Sequence, residues 1–112
     1  MLDRAALVRA FNKAANMTPA QITAWARDPR AKRASLPRRK ATGRSAIAEL
    51  AQVARMKRHA PSSWTESDWR KARDLVNFVK RHTAQMGSAC QPTRIIALRN
   101  WAHQPPRCGV PR

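Results

Sequence analysis

Histidine, asparagine and arginine are the residues whose types and spacing invite a chemical reading. His59, His82 and His103 could each accept a proton near neutral pH. No nucleophile in a Ser-His-Asp order accompanies them, the six Asp and Glu residues offer no clear pair for acid–base work, and no glycine-rich loop cradles phosphate. The expectation is a protein without catalysis. Cys90 and Cys108 lie near His82 and His103 in sequence, but there is no Cys-x-x-Cys and no His-x-x-x-His spacing, so neither a metal nor another cofactor is expected. No apolar leader precedes the first helical pattern, which favours reduced, unrelated thiols with Cys108 in a frayed tail; a disulfide between them stays open.

Two polar groupings remain, Arg81-His82 and Asn100-Trp101-x-His103. In one reading two helices bring Arg81, His82, Asn100 and His103 to a shared site, where asparagine could read adenine and arginine guanine or phosphate. In the other, which we favour, His82 and Asn100 bond each other across the helix pair and Trp101 fills the core, because buried polar groups usually satisfy one another. Trp64 and Trp69 could stack exposed bases; their positions on the helical pattern assign them to the core instead.

The strongest chemical signal is charge. The 112 residues hold 23 Lys and Arg against 6 Asp and Glu, a net charge of +17. A small domain at that charge repels itself unless an anion neutralises it. The excess is mostly arginine, whose planar fork matches phosphate. Arg27, Arg30, Lys32, Arg33, Arg38, Arg39, Lys40 and Arg44 crowd together with Asp28 as the only acid among them, and Arg55, Lys57 and Arg58 make a second patch. Such groups would track a phosphate backbone, with affinity falling steeply as salt rises. The alternative for the first run is a solvated basic loop.

The elements that position these residues read as helices. Leu7, Val8, Phe11 and Ala15 recur at helical spacing over residues 3–15. Thr18-Pro19-Ala20-Gln21 is a helix start: Thr18 caps, Pro19 takes the first helical position, and Gln21 completes a capping box. That helix should end near Asp28-Pro29. Residues 29–43 show no periodicity and read as a basic loop. Ile47, Leu50, Ala51 and Ala54 then form a stripe on a helix over residues 44–59. Thr65 and Asp68 open the clearest helix, with Trp64 as a staple on its first turns, and Trp69, Ala72, Leu75, Val76 and Val79 run along one face to Gly87. Glu66, Asp68 and Asp74 make this helix closer to neutral than the rest. A short last helix is expected over residues 94–101, and the proline-containing segment from Gln104 should be extended. No strand pattern of useful length occurs. The fold class is all-α, a small bundle of four to five short helices with a basic loop between the second and third. A single helical domain spans 1–104, followed by a Pro-rich tail over 105–112.

The order of motifs resembles a family of small, mostly bacterial proteins, Domain of Unknown Function 3140, often labelled "DNA-binding protein". Asn16-Met17-Thr18-Pro19 and Trp25 match its first elements, and Thr42-Gly43-Arg44 is similar to its Ser-Gly-Arg. Val76-Asn77-Phe78-Val79-Lys80-Arg81-His82-Thr83-Ala84-Gln85 resembles its Val-x-x-Tyr-Val-x-Arg-His-x-Ala-Gln. Leu98-Arg99-Asn100-Trp101-Ala102-His103-Gln104-Pro105 resembles its Leu-Met-Asn-Trp-Gly-His-Asp-Pro. The resemblance implies a shared helical fold and, through the label alone, DNA rather than RNA. Typical members carry many acids where this chain has Arg30 to Lys40.

The expected function is therefore nucleic-acid binding, DNA preferred, through Arg and Lys contacts to the phosphate backbone. The alternatives are a structural subunit of a nucleoprotein particle (ribosome-associated, nucleoid or phage) and a basic adaptor or inhibitor docking on an acidic protein surface. No apolar run approaches the about 20 residues of a membrane-crossing helix. The expected place is the cytoplasm, on the nucleoid or within a nucleoprotein particle.

Overall fold

A computed structural model describes residues 3–32 and 46–111. Among the described residues there are five α-helices and no strand: α1 (Arg4–Ala14), α2 (Pro19–Ala26), α3 (Ala46–Arg58), α4 (Glu66–Met86) and α5 (Pro92–Arg99). Short 3-10 turns follow α2 (Pro29–Lys32) and precede α4 (Pro61–Ser63). Arg33, Arg38, Arg39, Lys40 and Arg44, most of the expected basic loop, lie outside the described residues, as does the side chain of Lys32.

Helix starts follow local chemistry. Asp3 Oδ1 accepts from the Ala6 N–H at 2.7 Å and opens α1. Thr18 and Gln21 form a reciprocal capping box on α2, with Pro19 in the first turn. Thr65 and Asp68 do the same on α4. Each box satisfies backbone donors that the first helical turn leaves unpaired.

Helix α1 packs against α4, and α2 against α3. Leu7, Phe11, Ile22, Trp25, Leu50, Val53, Met56, Leu75 and Leu98 form the centre of the core. Trp64, just before the α4 cap, is edge-on to both Phe11 (5.2 Å between ring centres) and Trp69 (4.8 Å). Its indole N–H donates to the Met56 carbonyl at 3.2 Å. Trp64 and Trp69 are thus core residues, each 8% exposed, too little to serve as a stacking platform.

Helix α5 starts and ends two residues earlier than its apolar pattern suggests. Pro92 suits the first helical turn, and the end is set by Ala102, whose φ of 63° is left-handed. That turn lets the His103 N–H reach back to the Leu98 carbonyl at 3.0 Å. The resembling family motif carries glycine at this position, the residue that adopts such a φ without a steric penalty.

Two expectations are corrected at the C-terminus. The segment after Gln104 is folded back rather than extended: the Cys108 N–H donates to the Pro105 carbonyl at 3.0 Å, and Pro105 and Pro111 are buried. The thiols expected to be separate and reduced are joined: Cys90 and Cys108 form a disulfide with their Cα atoms 5.6 Å apart. Cysteine spacing carries no sign of this, because the proximity is created by the returning chain.

Candidate nucleic-acid interface

The six acids decide which cations remain for a partner, because most of them serve the fold. Asp3 is a cap. Glu66 pairs with Arg4 at 3.1 Å, and the Arg4 guanidinium lies over the Trp69 ring. Asp28 takes Arg30 in a two-point grip, Nε to Oδ1 at 2.9 Å and Nη2 to Oδ2 at 2.6 Å. The Arg30 side-chain bonds hold the Asp28 carboxyl down at about 2.

Asp68 is fully buried. Burial works to raise its pKa, but hydrogen bonds from Arg55, Gln52 and the Thr65 N–H outweigh it and hold the carboxyl well below the usual range. Glu49 and Lys71 are a mostly buried pair at 3.4 Å. The Lys71 ammonium also sits 3.9 Å from the centre of the Trp101 ring, which stacks on Phe78, which stacks on His82. Only Asp74 is exposed with none of these duties.

The second expected patch is divided by these contacts. Arg55 is held by Asp68. Lys57 donates to the Ala15 carbonyl at the end of α1, and burial pushes its pKa down. Arg58 is exposed. Of the first patch, Arg27 is exposed at the end of α2, whereas Arg30 is engaged with Asp28 and with the Pro111 carbonyl.

Three of the four motif residues have their own partners. Asn100 Oδ1 accepts from the Trp25 indole at 2.9 Å and its Nδ2 donates to the Ala31 carbonyl at 2.7 Å. His103 Nδ1 donates to the Ala14 carbonyl at 2.6 Å. Burial pushes His103 down, against that bond, so its ring is neutral at pH 7. His82 Nδ1 lies 3.0 Å from Arg94 Nη1. A guanidinium only donates, so this nitrogen accepts and the proton sits on Nε2. Arg81 is exposed on α4. The bond imagined between His82 and Asn100 is replaced by these separate contacts.

A further set of cations emerges on α4. Arg70, Arg73, Lys80 and Arg81 are exposed, and none pairs with a described acid. At 100° per residue they fall within about a third of the helix circumference and extend over about 16 Å. The acid count concealed this face. Glu66 and Asp68 sit in the first turn, and the capping box at Thr65 already showed that Asp68 would turn back on the helix start. Arg9 and Lys13 are likewise exposed on α1.

The recognisable motifs bond to one another. Asn16 Nδ2 donates to the Gln104 carbonyl at 2.9 Å and its Oδ1 accepts from the Gln104 N–H at 2.8 Å. The Met17 N–H donates to the Ala102 carbonyl. With Trp25–Asn100 and Ala14–His103, these bonds join the segment 14–25 to the segment 100–104. No curated protein and no solved structure matches the chain. A family model matches residues 10–103, a span that includes both sides of this clasp as far as His103, and the chain belongs to the family described as Protein of unknown function (DUF3140).

Proposed function

We propose that the protein binds nucleic acid, DNA by preference, through non-catalytic contacts to the phosphate backbone. The observation that carries this reading is the exposed face of α4, where Arg70, Arg73, Lys80 and Arg81 face solvent with one acid, Asp74, among them. A row of cations along one helix suits repeated phosphate contacts. Each neutralised phosphate releases counterions and adds about 0.9 to the slope of log affinity against log salt. The contacts are to phosphate, so they confer position rather than sequence preference. Arg27 and Arg58, exposed at the ends of α2 and α3, and the basic run through Arg38, Arg39 and Lys40 are further candidates. With this partner, the protein belongs in the cytoplasm, on the nucleoid or within a nucleoprotein particle.

Fluorescence anisotropy with duplex DNA, duplex RNA and single strands across a salt series tests the reading. Arg70→Ala with Lys80→Ala should lower the salt slope by about two. Arg38→Glu with Arg39→Glu measures the share of the other run. No binding at low salt, or a slope unmoved by both double variants, overturns the proposal.

A further inference from the structure

Two guanidiniums meet at one indole. Arg99 lies 4.4 Å and Arg30 5.4 Å from the centre of the Trp25 ring. Each therefore stands in the other's field, and Asp28 is the acid beside them. Arg30 spends Nε and Nη2 on Asp28. Its remaining edge, Nη1, donates to the Pro111 carbonyl. Arg99 Nη1 donates to Gln104 Oε1, while Arg99 Nε is buried with no hydrogen-bond partner. The cluster holds two positive charges and one negative, and the acceptors that complete it are neutral oxygens of the returning chain.

That chain is held as a unit. Gln104 Nε2 donates to the carbonyls of Pro105, Cys108 and Gly109, and Cys108 is tied to exposed Cys90 in the connection between α4 and α5. We infer that residues 106–111, with the Gln104 side chain that holds them, are a redox-released cover over a phosphodiester site formed by Arg30 and Arg99. This rests on the nucleic-acid reading above and assigns it a regulated site.

The chemistry is ordinary thiol exchange. One thiolate of a dithiol reductant attacks the exposed Cys90 sulfur and expels Cys108 as the thiolate. The reductant's second thiol resolves the mixed disulfide and frees Cys90. Two electrons and two protons pass from the dithiol, which leaves as a disulfide, and both cysteines end as thiols. A phosphate oxygen then replaces a neutral carbonyl on Arg30 Nη1, and charge-assisted bonds are about twice as strong as neutral ones. A nucleic-acid binder works where thiols are kept reduced, and disulfides found there are mostly transient or redox-sensing.

The test compares the oxidised full-length protein, the same protein in dithiothreitol, and Cys90→Ser with Cys108→Ser, each titrated into a labelled 20-base-pair DNA over a salt series. The reduced and double-serine proteins should bind about three- to tenfold tighter, with a slope steeper by about one to two. Arg99→Gln should reduce the gain on reduction and take about one from the added salt slope. Equal affinity and slope in all redox states, or weaker binding on reduction, overturns the cover and leaves the binding proposal standing. No binding in any state overturns both. Loss of helical circular dichroism on reduction and in the double-serine protein also overturns the cover, because the disulfide then holds the fold itself.

Discussion

The Trp25 indole N–H donates to Asn100 Oδ1 at 2.9 Å, joining residues 75 positions apart. The same Asn100 side chain donates to the Ala31 carbonyl, so one amide closes α2, the turn after it and the end of α5 together. Both Trp25 and Asn100 belong to the motifs that make the family recognisable. Their role here is to hold the fold.

Asn100→Ala should leave the Trp25 N–H buried without its acceptor and remove the Asn100 bond to the Ala31 carbonyl. An unsatisfied buried donor costs about 1–3 kcal/mol and a lost hydrogen bond about 0.5–1.5 kcal/mol, so a total loss of about 2–4 kcal/mol is expected in denaturant unfolding. A Trp25→Phe background should remove part of that loss, which a double-mutant cycle reads directly. DNA affinity of the folded fraction should not change.

Arg55 and Arg58 should separate stability from binding. Arg55→Ala leaves the buried Asp68 charge with Gln52 and Thr65 alone and should cost about 1–3 kcal/mol, below the range for a fully buried pair because Arg55 is 46% exposed. Arg58→Ala should stay within about 0.5 kcal/mol of the parent. Its effect belongs to the salt slope of DNA binding. The opposite pattern would reassign both residues.

His103 should make the protein acid-sensitive. Its folded pKa lies below 6.5, so the unfolded chain takes up a proton first as pH falls. Stability from the neutral ring is full above pH 6.5 and is lost between 6.5 and the lower folded value. His103→Asn keeps a donor for the Ala14 carbonyl and removes the titration. Stability of the parent should fall from pH 7.5 to 5, and this slope should flatten in the variant.

Ala102→Gly should be nearly neutral. Relief of the left-handed penalty, about 1–2 kcal/mol, offsets the lost methyl burial and the extra freedom of the unfolded chain. Ala72→Gly, at a fully buried site within α4, has no such relief and should cost about 2 kcal/mol. Thermal melts of the two variants make the comparison.

The helix starts were legible because their signals are local. Thr18 with Gln21, and Thr65 with Asp68, complete their bonds within one turn, so neighbouring residues suffice. The core tryptophans were legible for the same reason. The tail was not: Pro111 beside Arg30 and Cys90 beside Cys108 depend on a chain reversal that no spacing encodes. The basic patches were legible as composition but not as surface. Arg55 and Lys57 look like Arg58 in sequence, and only the packing of α3 against its neighbours shows which of them is already engaged. Helix α4 reads as near neutral for the converse reason, since two of its acids are spent within the fold.

Asp68 also bears on how the chain reaches this structure. One carboxylate bonds the Thr65 N–H at the first turn of α4 and the side chains of Gln52 and Arg55 on α3. The two oxygens of one carboxylate divide the work: Oδ2 takes the Thr65 N–H that opens α4, and Oδ1 takes Gln52 and Arg55 of α3. Initiation of α4 and its pairing with α3 should therefore be coupled, and folding kinetics of Thr65 and Arg55 variants should give similar φ-values if they are.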